Sequence, residues 1–160
     1  MTPTFFLDHA LAPALTLLPS NMDTPAARAM LLAIALQESR IIYRQQVGGP
    51  AHSYFQFELG GGVRGVLTHS ATKGHIRAVL AALDYPAQAD AADCYAAIEH
   101  NDVLAVAFAR LLLYTLPAPL PGKYAHEEGW RQYLDAWRPG RPHPATWPAL
   151  YAQAWGVISA

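Results

Sequence analysis

The segment from Pro25 to Gln46 constrains the fold more than any other. Asp23 and Thr24 precede it as cap candidates, and Pro25 stands at a first helical position, where a missing N–H costs nothing. At about 100° per residue, Leu31, Ile34, Ala35, Ile41 and Ile42 fall in one arc, while Leu32, Ala33 and Leu36 coat the other sides. A helix that is apolar nearly all round has no face to give to water and belongs in the middle of a domain. The pattern predicts a helix over 25–46, stopped by Gly48, Gly49 and Pro50.

One residue breaks that pattern. Glu38 sits in the middle of the apolar arc, one turn after Ile34 and one turn before Ile42. Burying an ionised carboxylate costs several kcal/mol unless it is paired, so Glu38 must find a cation or keep its proton. Desolvation raises a carboxyl pKa, which is what a general acid at neutral pH requires. The alternative is a structural glutamate bonded to Arg40, Arg110 or a helix terminus. Periodicity alone leaves both open.

The rest of the chain supplies helices to surround this one. Phe5 to Leu18 reads as a short amphipathic helix. Residues 51–68 read as a loop with at most a short hairpin, turning through Gly60, Gly61 and Gly62. Ser70 is expected to cap a helix through Leu83, and an alanine-rich helix covers about Gln88 to Ile98. Asn101 opens a very apolar helix that stops before Pro117, and Pro117 to Gly122 forms a rigid connector. A helix from about Ala125 to Trp137 and another from near Pro148 complete a mainly α, compact helical domain over residues 1–160. At that length roughly 70% of the unfolded surface can be buried.

Several function classes fall away. Charged residues make up 14% of the chain against a usual share of about 25%, and apolar types 52%, which excludes intrinsic disorder. Eleven cations balance twelve anions, so no strongly basic nucleic-acid footprint exists, and Arg138 with Arg141 is too small a patch to make one. Cys94 is the sole cysteine, which rules out an internal disulfide and a Cys-rich zinc site and fits a small core residue. The seven histidines, among them His69 and His75, form no HExxH spacing, so no metal and no cofactor is expected. No run approaches ~18 apolar residues, and the first twenty lack the cationic start of a secretory signal. The expectation is a soluble protein made in the cytoplasm without a signal peptide.

The residues around Glu38 carry a resemblance. Gln37-Glu38-Ser39 followed by Ala51-His52-Ser53-Tyr54-Phe55-Gln56 is similar to the signature of the lysozyme-like lytic transglycosylases. In that family a helix ends in a Glu-Ser pair bearing the sole catalytic acid, and a glutamine follows eighteen positions later. Gln56 stands at that interval from Glu38. Tyr54 and Phe55 take the places of leucine and methionine, Ser53 and Pro50 those of glycines, and Val47 that of a serine. Ala136-Trp137-Arg138-Pro139-Gly140 resembles the family's late Ala-Tyr-Asn-x-Gly segment, with Arg138 for asparagine, and Asn101 leads a core helix as in the family. The glycine insert and the Trp137–Gly140 ending also resemble phage-encoded proteins of this shape.

The resemblance implies a lysozyme-like domain with a small irregular or hairpin insert after its central helix. Its implied partner is a peptidoglycan glycan strand, cut at the β-1,4 bond between N-acetylmuramic acid and N-acetylglucosamine by a monomer acting at the bacterial wall, virion-associated or released at lysis. Glu38 would protonate the glycosidic oxygen. The substrate's own acetamido oxygen would replace the second carboxylate that other glycosidases use. Gln56 would offer uncharged hydrogen bonds, and Ser53, Tyr54, Trp137 and Arg138 would line the cleft. Glu58, two residues past Gln56, would share its face if the chain is extended there, as a second carboxylate or a solvated loop acid. His69 falls near the same cleft. Two rivals remain at this point: a non-catalytic helical scaffold with Glu38 sealed against an arginine, and a nucleic-acid adaptor built on Arg138 and Arg141.

Overall fold

A computed structural model describes residues 1–160, and it is mainly helical. Helix α1 (Pro3–Phe6) runs through a π-helical turn (Leu7–Leu11) into α2 (Ala12–Thr16), close to the expected 5–18. Helix α3 (Pro25–Ser39) follows. The Thr24 hydroxyl accepts the Ala27 N–H at 3.1 Å, with Pro25 in the first turn, as the sequence predicts. Every residue from Met30 to Leu36 is buried, so the all-round apolar pattern is satisfied by neighbours on all sides. Those neighbours are α7 (Asp102–Tyr114), α9 (Trp147–Ile158) and the N-terminal helical segment.

The chain joins these elements through one hydrophobic core of 42 buried residues. Asn101 caps α7 by accepting the Leu104 N–H at 3.0 Å, and Leu104 to Leu113 are all buried. Arg110 lies among them, and its Nε donates to Met22 O at 2.9 Å. Desolvation holds that guanidinium below its usual range. Helix α6 (Ala91–His100) starts later than Gln88, because Asp90 and Asp93 form a reciprocal capping box with both bonds at 2.9 Å. Helix α8 (His126–Trp137) packs on α9. Gly129 permits this, since a Cβ there would lie 2.9 Å from Tyr151 Cε2 and 3.3 Å from Trp147 Cζ2.

Four expectations need correction. Helix α3 ends at Ser39, not Gln46, so Ile41 and Ile42 leave the helical arc. Ser39 Oγ donates to Tyr54 O at 2.8 Å, and Arg40 and Ile41 both take left-handed backbone, with φ of 55° and 56°. Residues 51–68 are not loop throughout, since the chain turns helical from Leu59. Two isolated antiparallel bridges, Gln45 with His52 and His52 with Phe57, fold the loop. The three glycines lie in a helical segment (Leu59–Val63) broken by a kink at Gly61, with φ −98° and ψ −110°, that leads into α4 (Arg64–Thr68). Ser70 caps nothing, because α5 (Lys73–Ala82) begins after Thr72, whose hydroxyl donates to Val66 O at 2.7 Å. No helix is long and apolar enough to cross a membrane.

Candidate active site

A groove of about 1290 Å³ runs past the end of α3. One wall is the loop after α3 together with the glycine turn. The other is the last turn of α8 and the segment to His143, and Leu112, Thr115 and Leu116 at the end of α7 line it as well. Glu38 projects from the last turn of α3 into this groove, mostly buried. Burial pushes its pKa up to about 7 from an ordinary 4.5.

Its one protein partner is a phenol. The Tyr133 hydroxyl donates to Glu38 Oε1 at 2.6 Å and partly offsets the effect of burial by favouring the carboxylate. Tyr133 is itself buried, and its own pKa is pushed far upward by desolvation and by Glu38, so it stays a donor. Aromatic rings fix its position. The Trp147 ring stacks on it at 5.4 Å with a 13° tilt, and Trp130 lies at 5.2 Å. No cation pairs with Glu38. Arg110 is committed to Met22 O, and Arg40 turns outward at the helix end. Glu38 therefore forms no pair with Arg40 or Arg110, the arginines expected of a structural role.

Other expected site residues separate into two groups. Gln56, Glu58, His69, Trp137 and Arg138 line the groove with Glu38. Gln56 adopts left-handed backbone, φ 51°, so the chain is not extended there and the shared face expected for Gln56 and Glu58 does not arise by alternation. Gln56 Nε2 donates to Ser53 O at 2.8 Å, which leaves its Oε1 to accept from a ligand. Trp137 Nε1 donates to Phe55 O at 2.9 Å, and its ring stacks on Phe57 at 5.6 Å. His69 is exposed, and its Nδ1 accepts the Ala71 N–H.

Ser53 and Tyr54 lie outside the groove. Ser53 is fully buried with φ 68°, and its Oγ accepts the Phe55 N–H at 3.2 Å; it turns the chain. Tyr54 points the opposite way, packed edge-on against Phe6 at 5.7 Å and beneath the Arg44 guanidinium at 4.7 Å. Arg44 in turn forms a two-pronged pair with Asp102, at 3.0 and 2.7 Å, which ties the loop to the start of α7. The aromatic lining comes instead from Tyr43, Phe57, Tyr133 and Trp137.

Tyr133, Asp135 and His143 are among the groove residues that the sequence analysis did not assign to the site. Tyr133 precedes Trp137 by one turn on a helix that was legible, so i,i+4 spacing places both on one face and could have found it. Asp135 and His143 also line the groove, and nothing in their local sequence marks them. No three histidine, cysteine, aspartate or glutamate side chains come together as a metal site. Comparison with protein-family models, curated proteins and solved structures finds no match to this chain.

Proposed function

We propose that this protein cleaves peptidoglycan glycan strands, with Glu38 as the single general acid and base. One observation carries the reading: a carboxyl group with a pKa of about 7 stands in the wall of an open groove, bonded to a phenol and to no cation. Such a group keeps its proton up to about neutral pH and can still give it up, which matches the demand of a weakly basic glycosidic oxygen.

The chemistry balances with one carboxyl. Glu38 transfers its proton to the bridging oxygen as the bond to C1 breaks, and the neighbouring acetamido oxygen bonds to C1. The Glu38 carboxylate then takes a proton from the incoming hydroxyl, which displaces the acetamido oxygen. That hydroxyl belongs to water in a hydrolase and to the sugar's own C6 in a transglycosylase. Tyr133 stabilises the carboxylate between the two steps. Gln56 and Trp137 supply an uncharged acceptor and a flat apolar face for the sugars.

The test is to incubate the purified protein with peptidoglycan and identify the released ends by mass spectrometry. Anhydro ends identify attack by the 6-hydroxyl, and reducing ends identify water. Intact wall material after incubation with active-pH protein rejects the proposal. Release at the same rate by Glu38→Gln rejects the assignment of the acid.

A further inference from the structure

The segment that leaves α8, from Arg138 to His143, is held too rigidly for a connecting loop. At its start Trp137 Nε1 donates to Phe55 O at 2.9 Å. At its end both halves of the Gln37 amide are engaged: Nε2 donates to His143 O at 3.1 Å, and Oε1 accepts from the Thr146 hydroxyl at 2.9 Å. Pro139, Pro142 and Pro144 stiffen the path between. Gln37 neighbours Glu38, so the strap is fixed relative to the acid.

Two guanidinium groups ride on this strap, and both Arg138 and Arg141 line the groove and are exposed. Arg28, Arg44 and Arg131 each hold a carboxylate at 2.6 or 2.7 Å, whereas neither strap arginine forms an ion pair, with Asp135 and Glu58 of the same groove or with any other acid. Arg138 also occupies left-handed backbone, φ 49°, where glycine or asparagine is the favoured residue. Its one internal bond is a long one, from Nε to Asp135 O at 3.4 Å. The left-handed backbone itself does not call for an arginine at this position.

We infer that Arg138 and Arg141 form a carboxylate-binding subsite that selects glycan strands by their acidic substituents. This rests on the glycan reading of the groove. The sugar backbone of such a strand is neutral, and its anions are the lactyl carboxylate or the carboxylates of the attached peptide. A guanidinium binds a carboxylate through two parallel N–H bonds, which adds orientation to affinity. Bound there, the substituent would fix which linkage lies over Glu38.

The experiment compares three substrates: a chitooligosaccharide with no carboxylate, peptide-stripped strands that keep the lactyl carboxylate, and strands with intact peptides. The wild-type protein should prefer at least one carboxylate-bearing substrate over the neutral one by about tenfold in kcat/KM, and the two acidic arms identify the source. The double variant Arg138→Asn, Arg141→Gln, with asparagine chosen to suit the left-handed backbone, should bring that ratio close to one with an unchanged melting temperature. An unchanged ratio in the variant, or no preference in the wild type, overturns the inference. If the wild type cleaves none of the three, the catalytic reading fails, and calorimetry with a soluble disaccharide-peptide decides the subsite separately. Binding that weakens about tenfold in the variant keeps it, and no binding overturns it. Tighter binding of a DNA oligonucleotide than of the disaccharide-peptide also overturns it.

Discussion

The Tyr133 hydroxyl and Glu38 Oε1, 95 residues apart in sequence, lie 2.6 Å from each other. Because the phenol is the donor, Oε1 is the acceptor, and the acidic proton of the neutral carboxyl resides on Oε2. Burial favours the protonated form and the phenol favours the carboxylate, so two opposed effects meet on one proton. Their balance near pH 7 is what makes a reversible donor.

Replacing Glu38 by Gln should keep the fold and remove the chemistry. The amide is nearly isosteric, and its carbonyl oxygen can still accept from Tyr133, but it has no proton to transfer. Turnover of peptidoglycan should fall by about 10²–10⁴-fold, the range that general acid catalysis contributes. A dye-release assay on wall material, beside a circular dichroism spectrum superimposable on wild type, checks both halves.

The same group sets a pH dependence. Its folded pKa of about 7 lies above the ordinary 4.5, so between those values the native protein keeps a proton that the unfolded chain has lost. Native protein then binds more protons, and stability falls as pH rises through this window. The contribution is complete below about pH 4.5 and gone above about pH 7, a difference of up to about 3 kcal/mol. Urea titrations from pH 4 to 8 should show this slope in wild type and lose it in Glu38→Gln. Activity should decline above about pH 7 as the acid ionises.

Tyr133→Phe separates the two effects on Glu38. Losing the phenol removes the hydrogen bond that favours the carboxylate, so the alkaline limb of the kcat profile should move to higher pH. The carboxyl also loses its orienting partner, and the plateau value of kcat at acidic pH should drop. Stability should change by about 1 kcal/mol, the usual net value of one hydrogen bond. A pH–rate profile that keeps its alkaline limb unmoved would show that Tyr133 does not act on this proton.

What the sequence makes legible here is local. Thr24 and Asn101 cap their helices through bonds to residues three positions on, and the apolar arc that leads up to Glu38 is a property of a single helix. The end of α3 is different. Neither an arginine nor a β-branched isoleucine favours left-handed backbone, yet Arg40 and Ile41 both adopt it, because Ser39 is drawn to Tyr54 O on a later segment. The same long-range choice sends Ser53 and Tyr54 away from the groove: left-handed turns at Ser53 and Gln56 break the alternation that a linear reading assumes. Asp135 enters the groove because α8 packs where it does, which no neighbour in its sequence dictates.

Gly129 tests that packing. A methyl group there would meet Tyr151 Cε2 at 2.9 Å, and the ring cannot swing aside freely because its hydroxyl donates to Gly122 O at 2.9 Å. Gly129→Ala should cost about 1–3 kcal/mol, the range for overpacking a filled core. It should also reduce activity more than the stability loss explains, since α8 carries both Tyr133 and Trp137. Kinetics measured well below the melting transition isolate the second effect.

Gln37 offers the sharpest separation of strap from acid. Its side chain bonds His143 O and the Thr146 hydroxyl, and it makes no bond to Glu38. Gln37→Ala should therefore release the strap at one end, leave the Glu38–Tyr133 pair intact, and cost about 1–2 kcal/mol for two partly exposed hydrogen bonds. The pH–rate profile should keep its alkaline limb near pH 7, since neither burial of Glu38 nor its phenol changes. KM should rise on carboxylate-bearing strands while kcat changes less, because a loosened strap must be ordered again on each binding event. A fall in kcat with KM unmoved would place Gln37 in the chemistry of the acid instead.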